Sequence, residues 1–208
     1  SAPPVMPEAA PRPVPAPKPA PPPPAPGPST QPTVSVVARI ERVHGEVRVL
    51  NGVESPSARE GASMVCGMGI RTTTRNSRVS LVLSDGTRLE LEGETEVSQL
   101  FEKDATGKAA RGKPIVIAKG IVTAQIPKQP VNQPMIFSTP HAEAKVVGTT
   151  LRLIVDPGEK GATRLEVAEG KVRLTRSRDG KFADVSARQT ATGSSRVDLS
   201  SKPIPRGL

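Results

Sequence analysis

The stretch "RVSLVLSDGTRLEL", Arg78 to Leu91, constrains the fold of this chain more than any other. Leu81 and Leu83 share one parity before Asp85-Gly86, and Leu89 and Leu91 share one parity after it. A period of two gives a strand one apolar face. Asp-Gly between two such runs signals a hairpin, read here as a type I′ turn with positive φ at both central residues. "KVRLTRSRDGKFADVS" repeats the device, with Asp179-Gly180 between Val172, Leu174 and Phe182, Val185.

Other segments follow the same period. "VSVVARIERVHGEVRVL" reads as two short half-buried strands joined at His44-Gly45, with Val47 and Val49 inward and Arg48 outward. "KPIVIAKGIVTAQIP" gives Ile115 and Ile117, then Gly120, Ile121 and Val122. "TTLRLIVDPGEKGATRLEVAEG" sets Leu151, Leu153 and Val155 against Leu165 and Val167 across an Asp-Pro-Gly loop. No segment shows a capped helical period, so the expectation is an all-β domain of roughly ten to fourteen short antiparallel strands. A sandwich, a distorted barrel and a solenoid-like stack all satisfy these signals. Gly45, Gly120 and Gly170 each precede an x-Val pair, which suggests strand-entry glycines reused where the chain turns a corner.

Composition sets the domain limits. Of the 24 prolines, 15 precede Val34, in a segment whose only larger apolar side chains are Val5, Met6 and Val14. Residues 1–33 are therefore expected to be a disordered Pro-rich linker, since such a chain buries too little to offset its ordering entropy. At ~3.1 Å per residue it would reach about 100 Å. A Pro-rich ligand for a small recognition domain is the competing reading of "PKPAPPPP". The folded domain is placed at 34–196 and a C-terminal tail at 197–208. A spacer normally separates two things, so a membrane anchor or signal is expected upstream of residue 1.

From Val34 onward 27 Lys and Arg face 19 Asp and Glu, a net +8. That excess suits anionic partners. With no Trp or Tyr and only three Phe there are almost no stacking platforms, which argues against a nucleic-acid surface. The alternative of a basic face for a polyanionic glycan or nucleic acid stays open.

Catalytic patterns do not assemble. Ser138 and His141 are three apart on an extended segment and fall on opposite faces, and no Gly-x-Ser-x-Gly elbow exists. His141 reads as a surface residue beside a turn. Two His and one Cys, widely separated, form no metal-ligand spacing. Cys66, between apolar neighbours, reads as a buried structural thiol. No catalytic residue, metal or cofactor is expected. The densest basic cluster, Arg173, Arg176, Arg178 and Lys181, is either the charged guard of an edge hairpin or a docking patch for an acidic partner.

The order of blocks resembles the FecR domain family. "ARIERVHGEV" opens it. "GMGIRTTTRNSRVSLVLSDGTRLELEGETEV" carries Gly67, Ile70, Thr72, Ser77, Val79, Leu81, Leu83, Asp85, Gly86 and Thr87. "FSTPHAEAKVVGTTLRLIV" carries Thr139, Pro140, Ala144, Val146, Gly148 and Thr149, and "TRLEVAEGKVRL" carries Val167, Glu169, Gly170 and Val172. Leu151 stands where the family pattern has Phe. The resemblance implies a sandwich- or solenoid-like periplasmic module. It also implies the sensor part of a membrane-anchored sigma-factor regulator that answers a TonB-dependent transducer or another envelope protein.

Overall fold

An alternating strand can bury its apolar face only against a second layer, and the tertiary structure supplies one. The structure, a computed structural model, describes residues 36–52, 55–101, 114–130, 133–158, 160–194 and 199–204. The expected Pro-rich linker lies outside the described residues. The first strands are β1 (Val36–His44), β2 (Val47–Leu50), β3 (Ser63–Val65), β4 (Gly69–Thr72), β5 (Arg78–Leu83), β6 (Arg88–Leu91) and β7 (Glu96–Leu100). They are followed by β8 (Pro114–Ile126), β9 (Met135–Ser138), β10 (Ala142–Asp156), β11 (Ala162–Arg176), β12 (Phe182–Ser186), β13 (Gln189–Ser194) and β14 (Lys202–Pro203). No helix is among them, so the fold is all-β as expected. Two residues of the segment read as a tail thus pair with β13.

Pairing sorts the strands into two ladders of one continuous sheet. One ladder runs β3-β1-β5-β6-β8-β10-β11-β13-β14. The other runs β2-β4-β7-β8-β9-β10-β11-β12. All pairs are antiparallel except β8 with β9, which is why the sheet is mixed. A single buried cluster takes Ile40, Leu81, Leu89 and Leu153 from the first ladder and Ile70, Ile117, Phe137 and Leu174 from the second. The ladders therefore face each other as a sandwich with interdigitating inner faces.

Three strands belong to both layers. β8, β10 and β11 are 13, 15 and 15 residues long, against the short strands expected from the sequence. Each changes layer in its middle, beside Gly120, Gly148 and Gly170. At the β10–β11 corner the register slips between Val146 and Thr149 and again between Thr150 and Leu151. These are bulges, and bulges bend paired strands together. The corner leaves no room for a side chain: a Cβ on Gly170 would lie 2.6 Å from the Gly148 carbonyl oxygen and 2.8 Å from Thr149 Oγ1. Gly170 also has φ +87°, which a β-carbon strongly disfavours.

The hairpin of β5 and β6 forms with Leu81 opposite Leu89 and Val79 opposite Leu91. Its turn corrects the type I′ expectation. Gly86 has φ 83° and Asp85 is not left-handed. Gly86 N donates to Leu83 O at 2.9 Å, and Leu83 N donates to Thr87 O at 2.8 Å. That is a three-residue loop, a type I turn closed by a left-handed glycine. Asp85 serves by its side chain, with Oδ1 accepting from Thr87 N at 3.0 Å.

Candidate partner-docking site

The hairpin of β11 and β12 carries the basic cluster, and its register decides which charges meet. Thr175 lies opposite Phe182 and Arg173 opposite Asp184. Arg173 Nε donates to Asp184 Oδ1 at 2.8 Å and Nη2 to Oδ2 at 3.1 Å. Such a fork is the strong form of an ion pair. The hydrogen bond from Arg173 holds the Asp184 carboxyl below its usual range, and Asp184 in turn raises the guanidinium. The same guanidinium sits 4.6 Å from the centroid of the Phe182 ring, a cation–π contact.

Arg176 behaves differently from its neighbours. Its side chain is 8% exposed, donates through Nε to Asp179 Oδ1 at 2.9 Å and through Nη2 to Oδ2, and reaches Ser194 O through Nη1 at 3.4 Å. The bonds from Arg176 pull the Asp179 carboxyl from 3.8 down to about 2. Asp179 Oδ1 also accepts from Lys181 N at 3.2 Å, so this one carboxylate closes the turn. The four cluster residues therefore divide. Arg176 is an internal tie from the hairpin to β13, Arg173 lies along the sheet, and Arg178 and Lys181 stand exposed on the turn.

Phe182 was grouped in the sequence with the apolar residues of the hairpin. The structure corrects this: Val185 is buried, whereas Phe182 points outward and is 58% exposed. Phe101 and Phe137, the other two aromatic residues, are buried. Two positions apart in a strand share a face, and 182 and 185 do not.

The residues of the family pattern gather elsewhere. Thr149 lies opposite Gly170 and Thr150 opposite Glu169, so Gly148, Thr149, Glu169 and Gly170 meet at one corner. Thr149 Oγ1 donates to Lys171 O at 3.3 Å. Thr139 Oγ1 donates to Ala142 O at 2.8 Å and lies 2.6 Å from Thr163 Oγ1, fastening the Thr139-Pro140 turn to β11. His141 is half-buried, its Nε2 donating to Gly158 O at 2.8 Å and its carbonyl accepting from Ser177 N at 3.0 Å. It pins three loops together, more than a surface residue would. Asp85, Gly86 and Thr87 form the β5–β6 turn, far along the first ladder. Cys66 is buried as expected, and its Sγ donates to Phe101 O at 2.8 Å.

Among the described residues no group of three His, Cys, Asp or Glu could hold a metal ion. No described helix is long and apolar enough to cross a membrane. The arrangement defines an all-β sandwich domain in which the Thr139 and Thr149 hydroxyls and the His141 imidazole bond to backbone carbonyls, Asp85 and Asp179 close turns, and Asp179 and Asp184 pair with arginine.

Residues 70–173 match the family described as FecR protein. The chain belongs to the FecR family. A solved structure from Parabacteroides distasonis, described as that of a candidate anti-sigma factor, is similar at a TM-score of 0.51 and 16% identity over 64% of this chain. A second structure of that description from the same organism gives a TM-score of 0.49 and 15% identity over 64% of this chain and 58% of its own. The chain spans 58% of the length of the first of these, and at such identity the likeness shows a shared fold. No curated protein matches the chain.

Proposed function

We propose that this chain is a non-enzymatic extracytoplasmic signalling or scaffolding domain of the FecR type, the sensor part of a membrane-anchored sigma-factor regulator. The observation that carries the reading is the family match over residues 70–173. The use of Thr139, His141 and Thr149 as structural fasteners supports a binding role over a catalytic one. The partner is a protein of the cell envelope, a TonB-dependent transducer or a neighbouring envelope protein, and the docking residues include Arg173, Arg178 and Lys181. Fusing a periplasm-dependent phosphatase to the full-length gene product tests the location: activity is expected, and a wholly cytoplasmic product would overturn the reading. Deleting this domain should change transcription from promoters of a sigma factor encoded nearby.

One observation favours a second reading. Arg39, Arg42, Arg78 and Arg88 are exposed on the outer faces of neighbouring strands β1, β5 and β6, and none forms an ion pair within the described residues. Glu41 and Glu90 interrupt the group. A polyanion-binding face would retain the domain on heparin at low salt and release it steeply as salt rises. Absence of retention at low ionic strength would dispose of this reading.

A further inference from the structure

The sandwich has few places where another strand could join it. β2 is flanked by residues 55–58, through Val49 N to Pro56 O at 2.9 Å and Ala58 N to Val47 O at 2.8 Å. β3 has three residues, and β14 has two, one of them Pro203. Beyond β14, the remaining part of β13 carries Ala191, Gly193 and Ser194, all buried. β12 differs. It has five residues and pairs only with β11 among the described strands.

The hydrogen-bond phase of β12 shows which of its groups are open. Arg176 N donates to Lys181 O at 2.8 Å, closing the hairpin. In an antiparallel pair the bonded positions alternate, so the next bonded pairs are Leu174 with Ala183 and Val172 with Val185. The N–H and C=O of Phe182 and Asp184 therefore point away from β11. At the far end Ser186 N donates to Gln189 Oε1 at 3.0 Å, which closes the edge there. What remains is a two-rung ladder with an exposed aromatic side chain on one side of it.

We propose that β12 is an addition site for an extended, acidic peptide strand of a partner protein. The proposal names the mode and partner chemistry for the reading above and rests on it for biological context only. Main-chain bonds to Phe182 and Asp184 would supply register, as in strand addition to a sheet edge. The Phe182 ring, backed by Arg173, offers an apolar cross-strand platform. Charge selects the occupant. Residues 171–186 hold five basic and two acidic side chains, a net +3, and both acids are engaged, Asp179 by Arg176 and Asp184 by Arg173. A second copy of this chain would bring two such edges together, so like-charge repulsion disfavours self-pairing and favours an acidic strand.

The test uses the 208-residue chain, isotopically labelled, and a short blocked peptide of alternating Glu and Val, with its Lys-Val counterpart as control. Expected are slowed amide exchange at Phe182 and Asp184 with the Glu-Val peptide only, and affinity that falls as salt rises. Phe182→Ala should weaken binding about tenfold, and Phe182→Glu should abolish it with the melting temperature unchanged. Asp184→Pro removes an outward N–H and should also block binding. Equal binding of both peptides, no binding of the Glu-Val peptide, protection elsewhere, or protection of these amides by self-association would each overturn the proposal. Because the probe is a purified peptide, a negative here leaves the phosphatase-fusion result untouched, and a cytoplasmic location there leaves this result standing.

Discussion

The corner of β10 and β11 and the turn of the β11–β12 hairpin both lie on β11, yet they obey different constraints. At the corner, backbone approaches backbone so closely that Gly170 has no space for a Cβ. At the hairpin turn, Gly180 has φ +69° and nothing within 4 Å of where its Cβ would be. The corner holds four residues of the family pattern, Gly148, Thr149, Glu169 and Gly170, and the match ends at Arg173, just before the hairpin turn. At that corner the signature glycines of this chain, Gly148 and Gly170, have no room for a Cβ. Its most exposed aromatic residue and its open strand edge lie beyond them.

The largest effect should come from the corner. Gly170→Val sets a β-branched side chain against both the Gly148 carbonyl and the φ, and should cost about 3 kcal/mol in urea unfolding. Gly180→Ala faces only the unfavourable φ and should cost about 1 kcal/mol. Equal losses at the two sites would erase the distinction.

Arg176→Met tests whether the hairpin is tied down by its own ion pair. The Asp179 carboxyl titrates at about 2 in the folded chain against 3.8 ordinarily. A depressed carboxyl stabilises above its unfolded value and loses that stabilisation as pH falls through its folded one. The wild type should therefore melt above the variant at neutral pH, and the gap should close between about pH 4 and pH 2. A gap independent of pH would mean that Arg176 acts by packing alone.

His141→Ala should cost about 1 kcal/mol in urea unfolding, the worth of the one bond from Nε2 to Gly158 O, since the backbone bond from Ser177 N to the 141 carbonyl remains. Phe182→Ala should change stability least, within about 0.5 kcal/mol, because the ring is already in solvent. A loss as large as at Gly170 would show that Phe182 is packed, and would remove the aromatic platform from the edge.

Much of the layout is legible in the chain. The alternation around Asp85-Gly86 places β5 and β6, and their partners Leu81 and Leu89 meet as the spacing requires. Leu151 with Val167 and Leu153 with Leu165 pair across the Asp-Pro-Gly loop for the same reason. These contacts are local, and the period of two fixes which side chains face inward. The docking region was legible only as a count of arginines. Whether Arg173 meets Asp184 and Arg176 meets Asp179 depends on register and on a turn whose length Asp-Gly alone does not set.

The sequence by itself determined the strand class, the turn positions and most inward residues, though not Phe182, because each follows from neighbours a few positions apart. The tertiary structure alone decided three things: that β8, β10 and β11 each serve two layers, that Arg176 turns inward, and that β12 has a partner on only one side among the described strands. Those outcomes depend on which distant strands claim each backbone hydrogen-bonding edge, and no local periodicity encodes that competition.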